Sequence, residues 1–539
     1  MEGSSTTTMK PCYKARKNVQ DDVVEDEWIK QRVAELTEHV KVLLKDARGS
    51  LEELELIDAL QRLGVAYHFE EEITEALSLI SNTAPILHND NDHLHNIALR
   101  FRLLRQHHYY VPSDVFNRFK DDKGNFKAEL SNDLKGLLSL YEAAYLCTPE
   151  EDVLDEAIDF TRRHLQSMVK DIDPRLARQV KHALETPSRR RMRRLEARLY
   201  ISIYEEDAEA RNDVVLELAK LDFHILQLLH REEVKKICIW WKDLGLTTML
   251  TFMRDRIVES YFWMLGVYFE PQYSKNRMLL VKVITMLSLM DDIYDSYGTL
   301  AELQLFTDAI QRWELKQEDQ LDENLQLCFM TINNTLKELE DDILNDWNRY
   351  HIDYLKREFE KVALAWLEEA KWRDEGCVPS SLAEHLHISL KTSGYQVLAC
   401  ASLIGMEEVD REVLEWVTSF PQINKDITTI SRLMDDVVDH TESEATSEPA
   451  VTTISCCMKE YGDSLDEAKL RILGMVENAW KDMNRECFHL KNKISSNVLV
   501  RFINLACMME TIYRNSDGYS EPASLRKPIS LLLVEPVKF

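Results

Sequence analysis

Residues 278–295 read MLLVKVITMLSLMDDIYD, an almost wholly apolar run that ends in three aspartates. The run is apolar on nearly every side of a helix, which predicts that the helix is buried. Asp291 and Asp295 are four residues apart and share one face, a spacing suited to bridging a hard cation through carboxylate oxygens. Buried like charges this close together are costly unless a cation compensates them. The stretch therefore favours a metal site over the alternative, a solvated helix end.

A second acidic cluster follows the segment DITTISRLM. Arg432, Asp435 and Asp439 fall at i, i+3 and i+7, which places them on one helical face. Ser443 extends that face by one more turn if the helix continues. The second cluster strengthens the prediction of a metal site.

A third element joins basic and aromatic residues. Arg254-Asp255-Arg256 precedes Tyr261-Phe262-Trp263. Two carboxylate clusters, isolated arginines and an aromatic-rich helix suit one task, holding a diphosphate on Mg²⁺ beside an apolar cavity. Mg²⁺ prefers one or two carboxylates with phosphate oxygens and water, and aromatic faces stabilise cations.

The composition predicts long helices. Glycine (14) and proline (13) are scarce among 539 residues, whereas average usage gives about 38 and 27. Apolar residues make up 45%, which argues against disorder, sandwiches and barrels. The net charge of −28 disfavours nucleic acid and anionic membranes as partners. We expect an all-α protein with two helical domains.

Cysteines and apolar runs bear on the location. The ten cysteines include no CxxC pair, and most lie in apolar helical context, which indicates a reduced environment. No apolar run reaches the roughly 18 residues that a membrane span needs, and no targeting segment is recognisable at the N-terminus. We expect a cytoplasmic protein without a membrane span. The basic run at 189–194 is interpreted as a solvated helix face or an interdomain contact rather than a nucleic-acid site.

Many collinear stretches resemble the plant class I terpene synthases, in particular the sesquiterpene synthases, over nearly the whole chain. In the N-terminal half they include LIDALQRLGVAYHFEEEI, SDVFNRFKDDKGNFK and RLEARLYISIYE. In the C-terminal half they include WWKDLGL, RDRIVESYFWMLGVYFEPQYS and DDIYDSYGTLAELQLFTDAIQRW. Such a series of matches is far more specific than any single motif.

The resemblance implies a division of the chain and a reaction. Residues 1–25 are expected to form a flexible arm, 26–220 a non-catalytic β domain and 221–539 the catalytic α domain. Family members ionise an allylic diphosphate with three Mg²⁺ ions and cyclise the carbocation, with Mn²⁺ as a possible substitute. The expected substrate is (2E,6E)-farnesyl diphosphate, and the expected state is a monomer.

The resemblance also assigns roles to residues. Asp291, Asp295, Asp435, Asp439 and Ser443 are expected to bind metal, and Asp292 is usually outside the metal's coordination shell. The substrate contacts carried over are Arg254, Arg256, Asp291, Asp295, Arg432, Asp435 and the helix break Thr392-Ser393-Gly394 at the pocket floor. Trp263 is expected to line the hydrocarbon pocket, with core packing as its alternative. Tyr513, Asp517 and Tyr519 match the loop that closes over the site and excludes water.

Two features depart from the family pattern. The usual second motif is Asp-Asp-x-x-Thr/Ser-x-x-x-Glu, whereas this chain has Asp439 and Ser443 at its third and fourth positions, similar to the arrangement in (+)-δ-cadinene synthases. Glu444 replaces Ser443 as the third ligand if the helix bulges, so both stay open. The tandem arginine pair expected upstream of Trp28 is reduced to Arg16 and Lys17, which puts an N-terminal cap over the site in doubt.

Three other interpretations compete with a sesquiterpene synthase. A monoterpene synthase acting on geranyl diphosphate is disfavoured because no plastid peptide is recognisable. A catalytically inactive helical homologue is disfavoured because both aspartate clusters and both arginines remain. A chain-elongating prenyltransferase is disfavoured by the β-domain matches and the altered second motif.

Overall fold

The computed structural model describes residues 19–82, 93–317, 319–342, 349–376, 379–443 and 452–539. Within these ranges the chain is a succession of helices without any extended strand, and an isolated bridge joins Lys120 and Phe126. The predicted all-α fold is confirmed.

Nine α-helices form the N-terminal part of the molecule. They are α1 Val19–Asp46, α2 Leu51–Arg62, α3 Glu70–Asn82, α4 Leu94–Gln106, α5 Leu134–Ala144, α6 Asp152–Met168, α7 Pro174–Glu185, α8 Arg193–Glu205 and α9 Asp213–Asp243.

The remaining α-helices form the C-terminal part, and a π-helical turn, Ile293–Tyr297, directly follows the third of them. They are α10 Leu246–Met249, α11 Ile257–Val267, α12 Ser274–Asp292, α13 Leu300–Arg312, α14 Glu323–Asp342, α15 Tyr350–Glu375, α16 Leu382–Thr392, α17 Tyr395–Ala401, α18 Arg411–Thr418, α19 Gln422–Ser443, α20 Thr453–Tyr461, α21 Leu465–Leu490, α22 Ser496–Ile512 and α23 Arg526–Leu533.

Local sequence signals explain where many helices begin. The Asp173 side chain accepts a hydrogen bond from the backbone of α7, whose first residue is Pro174. Thr299 and Glu302 form a reciprocal capping box at the start of α13. These side chains satisfy backbone N–H groups that a helix end otherwise leaves unpaired.

The first helix begins earlier than the sequence predicts. Residues 1–25 are predicted to be a flexible arm, but α1 starts at Val19, so the last seven of them are helical. Residues 1–18 lie outside the described part of the chain.

The hydrophobic core does not divide at residue 220. A smaller buried cluster belongs to α4–α7 and their connections, whereas the larger one includes residues from α1 through α9 and on to α23. Helix α9 continues without a break through residues 220 and 221. The two-domain division with a boundary there stays a prediction.

The basic run at 189–194 is an internal contact and is mostly buried. Arg190 donates to Glu477 on α21 at 2.7 Å, and Arg189 donates to Asn484 on the same helix at 3.1 Å. Of the two interpretations given above, the structure therefore favours the contact between the N-terminal and C-terminal helices.

Two further expectations can be compared with the structure. Within the described ranges, eight cysteines are free thiols, and all of them except Cys238 are buried. Among the helices of the described ranges, none combines the length and apolarity needed to cross a membrane.

Candidate active site

Helix α12 carries the first aspartate motif to the site. The helix is buried along most of its length and ends at Asp292. The chain then widens into the π turn, so Asp295 lies in this turn and not on a continuous α-helix. One turn of a π-helix contains slightly more than four residues. Asp295, four residues after Asp291, therefore still lies close to the same face.

The carboxylates of Asp291 and Asp295 fit a cation. Burial raises the pKa of Asp291 well above its ordinary value, and the negative charge of Asp295 raises it further. The positive charge of Arg432 opposes this rise. The Asp295 side chain is 60% exposed, so the pair is accessible from outside. A divalent cation would supply the positive charge that this pair lacks.

Asp292 contacts the segment that contains Arg254 and Arg256. Its carboxylate accepts hydrogen bonds from Arg256 Nη1 and from the backbone N–H of Arg254, each at 3.3 Å. The side chain of Arg254 is exposed and extends from a backbone that Asp292 holds in place. Asp292 thereby positions the 254–256 segment beside the first aspartate motif.

Arg432 on α19 connects the second motif to the helix break. Its guanidinium donates to the Ser389 carbonyl at 3.1 Å and to Thr392 Oγ1 at 3.3 Å. It also lies 3.3 Å from Asp435 and 3.5 Å from Asp436. The side chain of Arg432 is thus fixed in place, with its charge beside the Asp435 carboxylate.

The rest of the second motif is described only in part. Asp439 and Ser443 belong to α19, but their side chains lie outside the described part of the structure, and so does Glu444. The choice between Ser443 and Glu444 as third ligand therefore stays open. Asp436, which is not among the predicted metal ligands, is buried and accepts a hydrogen bond from Thr453 Oγ1.

The break between α16 and α17 needs its glycine. Ser393 ends α16, and Gly394 has a φ of +71°, a left-handed conformation that side chains other than glycine rarely adopt. A Cβ on Gly394 would lie 2.6 Å from Leu287 Cδ2 on α12. The break therefore packs directly against the helix that carries the first motif.

Aromatic rings surround Trp263 on α11. Trp263 is 5% exposed, and the Tyr519 ring lies perpendicular to it at a centroid distance of 5.0 Å. The rings of Tyr395 and Tyr513 lie at 6.1 and 6.2 Å. The negative faces of such rings can stabilise a cation in an otherwise apolar space.

The loop after α22 is folded onto the site. Tyr519 Oη lies 2.6 Å from Ser288 Oγ and 3.2 Å from Ser260 Oγ. Asp517 Oδ1 accepts hydrogen bonds from the backbone N–H groups of Tyr519 and Ser520, at 2.9 and 3.0 Å. Asp517 therefore shapes the turn that presents Tyr519.

Two residues on α15 reach the site without having been identified from the sequence. Glu369 accepts a hydrogen bond from Thr392 Oγ1 at 2.9 Å, and burial raises its pKa to about 7. Arg373 donates to the carbonyls of Tyr294 and Asp295, at 2.7 and 3.1 Å, and so supports the π turn. Each is one charged residue in a helix rich in charge, so no spacing pattern distinguishes it.

The site combines the carboxylates of Asp291, Asp295 and Asp435 (the aspartate rim) with the aromatic rings packed around Trp263 (the aromatic cluster). Within the described ranges, no three His, Cys, Asp or Glu side chains converge as a ready-made metal cluster. Mg²⁺ prefers a few carboxylates completed by phosphate oxygens and water, and Asp291 and Asp295 can supply such carboxylates. Such an arrangement can hold a metal–diphosphate complex at the rim and stabilise positive charge beside Trp263.

Comparison with known families and proteins adds independent findings. The family model for the terpene synthase N-terminal domain matches residues 8–184, and that for the metal binding domain of the terpene synthase family matches residues 242–482. The alpha-humulene synthase of Zingiber zerumbet is 46% identical over 514 residues, covering 95% of this chain and 92% of that protein. The (−)-germacrene D synthase of Vitis vinifera is 43% identical over 515 residues, covering 95% and 91%.

Solved structures agree with this similarity. The isoprene synthase of grey poplar (Populus x canescens), in complex with three Mg²⁺ ions and dimethylallyl-S-thiolodiphosphate, is 34% identical with a TM-score of 0.86, covering 95% of this chain and 97% of that one. A limonene synthase with 2-fluorolinalyl diphosphate is 31% identical with a TM-score of 0.89, covering 95% of each chain.

Proposed function

The chain belongs to the terpene synthase family, and from this we propose that it is a sesquiterpene synthase. The proposed reaction is the Mg²⁺-dependent ionisation of (2E,6E)-farnesyl diphosphate and cyclisation of the carbocation to a C15 product, with release of diphosphate. The curated relatives support this choice, because those at 43–46% identity include alpha-humulene, (−)-germacrene D and valencene synthases.

One observation carries the proposal: Tyr519 contacts both the helix of the first aspartate motif and the aromatic cluster around Trp263. Its hydroxyl contacts Ser288, three residues before Asp291, and its ring packs edge to face on Trp263. The Arg256 guanidinium lies 5.1 Å from the same ring. A substrate held at the rim by its diphosphate would therefore place its hydrocarbon chain beside Trp263.

The proposed metal ligands are Asp291 and Asp295 on one side and Asp435, Asp439 and either Ser443 or Glu444 on the other. Three Mg²⁺ ions are proposed, as in the isoprene synthase complex, with Mn²⁺ as a substitute. When bound, the metal ions supply Lewis acidity to the leaving diphosphate.

The side chains of the protein would neutralise the diphosphate, stabilise the carbocation and exclude water. Arg432, fixed by Thr392 and Ser389, would neutralise diphosphate charge, and the segment containing Arg254 and Arg256 would add to it. Trp263 would face the carbocation, and the freed carbonyls around Gly394 would offer partial negative charge at the pocket floor. The closed 513–519 loop would exclude water.

We also propose a cytosolic, monomeric enzyme that needs no partner besides its isoprenyl diphosphate. The second candidate substrate is geranyl diphosphate, which the similarity to a limonene synthase keeps under consideration.

The test is diphosphate release from farnesyl and geranyl diphosphates in Mg²⁺ buffer, by wild type and by the Asp291→Asn/Asp295→Asn double variant. We expect kcat/KM to favour the C15 substrate and turnover by the double variant to fall by at least about a hundredfold. A preference for the C10 substrate would make the protein a monoterpene synthase. No release from either substrate would make it an inactive homologue.

A further inference from the structure

A cavity of about 270 Å³ lies between the N-terminal helices and α22. Its walls come from α2, α3, the end of α4 with the two histidines that follow it, the segment 188–193, residues 269–270 and α22. Among the described residues that line it, none belongs to the aspartate rim or to the aromatic cluster around Trp263. The cavity is therefore separate from the proposed active site.

Five arginines line this cavity, and they divide into two groups. Arg62, Arg102 and Arg191 each have a carboxylate partner at 2.7–3.0 Å. Arg189 and Arg193 have no carboxylate within 4.0 Å among the residues that the structure describes; Arg189 donates to an amide oxygen at 3.1 Å, and Arg193 is exposed. Two guanidinium charges of the cavity wall thus lack a direct counter-charge.

The nearby carboxylate of Glu270 does not complete the charge balance. Glu270 lines the cavity, but its Oε2 lies 3.9 Å from Arg501 Nη1 and so is shared with a further cation. Glu70 also lines the cavity, so its walls hold five arginines against the three carboxylates of Glu70, Glu196 and Glu270.

Two residues of the cavity lining carry buried polar atoms without partners. His108 is 4% exposed, and neither of its ring nitrogens has a hydrogen-bond partner in the described residues. Ser188 Oγ is likewise buried and unpaired within the described ranges. Burial, with Arg189 and His107, lowers the pKa of His108 to about 3, so the imidazole is neutral and offers one N–H donor. Unpaired buried donors are costly unless a ligand or water satisfies them.

We propose that this cavity binds a phosphate-type oxyanion, held by Arg189 and Arg193 and completed by His108 and Ser188. The planar guanidinium matches two oxygens of a phosphate group, and a pair of them gives both charge and geometry. The anion would join the segment 188–193 to His108 at the end of α4. Its source is either free orthophosphate or a diphosphate such as the one that the proposed reaction releases.

The test is isothermal titration of orthophosphate and of inorganic diphosphate into the full-length protein in EDTA at low salt. The metal-free condition weakens binding at the aspartate rim, and low salt preserves charge attraction. We expect at least one anion to bind to wild type, with the dissociation constant rising about tenfold or more in Arg193→Gln. Arg231→Gln, which removes an exposed arginine from α9, serves as the matched control and should differ by less than about twofold.

Two further variants separate the possible outcomes. Arg432→Gln removes the arginine of the proposed active site and should leave this binding intact. Arg193→Lys keeps the charge without the fork and should bind with intermediate affinity. Binding that is lost in Arg432→Gln but kept in Arg193→Gln would overturn the proposal, and so would no binding to wild type. Circular dichroism of each variant checks the fold, and Arg189→Gln replaces Arg193→Gln if that variant is unfolded.

Discussion

Tyr519 Oη lies 2.6 Å from Ser288 Oγ, which ties the loop after α22 to the helix that carries the first aspartate motif. Ser288 is three residues before Asp291, so both side chains lie on the same side of α12. Closure of the loop and positioning of the metal-binding motif are therefore physically connected.

The hydroxyl of Tyr519 should control access of water. Tyr519→Phe removes its hydrogen bonds to Ser288 and Ser260 but keeps the ring against Trp263. A lost hydrogen bond costs about 1 kcal/mol, which is about a fivefold shift towards the open loop. We expect the fraction of hydroxylated C15 products to rise, as measured by gas chromatography–mass spectrometry. Tyr461→Phe, at an exposed tyrosine, is the control, and an unchanged product ratio in Tyr519→Phe would contradict the prediction.

The second motif should depend on Asp439 as much as on Asp435. Asp435→Ala and Asp439→Ala are expected to raise the Mg²⁺ concentration for half-maximal activity by similar factors, of about tenfold or more. Asp353→Ala, at an exposed aspartate of α15, is the control. An unchanged Mg²⁺ titration in Asp439→Ala would exclude this residue as a ligand.

The same titration decides the third ligand. Ser443→Ala and Glu444→Ala remove the two candidate oxygen donors one at a time. The variant that needs more Mg²⁺ for half-maximal activity identifies the ligand, because Mg²⁺ binds through oxygen atoms. Equal, unchanged responses would mean that neither side chain coordinates the metal.

Substitution of Asp291 and substitution of Asp292 should change different kinetic parameters. Asp291→Asn is expected to raise the half-saturating Mg²⁺ concentration, because it removes a proposed ligand. Asp292→Asn weakens the contacts with Arg256 and with the backbone of Arg254, so it should raise KM for the diphosphate substrate by about threefold to tenfold with little change in Mg²⁺ response. Steady-state kinetics at several Mg²⁺ concentrations separate the two effects, and identical profiles would contradict the assignment.

Trp263 should act through its ring face. Trp263→Phe keeps an aromatic face, whereas Trp263→Leu keeps only apolar bulk. A cation–π contact of about 0.5–2 kcal/mol predicts a kcat up to about thirtyfold lower in the leucine variant than in the phenylalanine variant. Trp28→Leu, at an exposed tryptophan, is the control. Equal kcat values for the two Trp263 variants would assign the residue to packing.

The first aspartate motif was predicted from its apolar context, and Trp263 from its position and from the resemblance to the terpene synthases. The all-α fold followed from few glycines and prolines and long apolar periodicity. The π turn was not foreseen, because the residues 293–297 carry no signal that separates π from α bonding. Glu369 and Arg373 were missed because only the packing of α15 on the π turn and the helix break brings them near the motifs.

Asp426 on α19 makes folding stability depend on pH. Burial raises its pKa to about 7, and the charges of Asp482 and Glu486 add to this. The unfolded chain loses this proton near pH 4 and the folded chain only near pH 7, so stability falls as pH rises between these values. Asp426→Asn cannot ionise and should be more stable than wild type at pH 8, on the order of 2 kcal/mol.

Thermal unfolding at pH 5 and pH 8 measures this effect. The gain of Asp426→Asn should shrink at pH 5, where folded wild type keeps the proton. Asp353→Asn, at an exposed position, should show no such pH dependence. A gain that is equal at both pH values would contradict the titration of Asp426.

Sesquiterpene synthase activity is measured most directly by gas chromatography–mass spectrometry of products from farnesyl diphosphate, with and without Mg²⁺. We expect a C15 hydrocarbon or alcohol that forms only when Mg²⁺ is present. The absence of any C15 product with Mg²⁺ present, from protein that is folded by circular dichroism, would contradict this expectation.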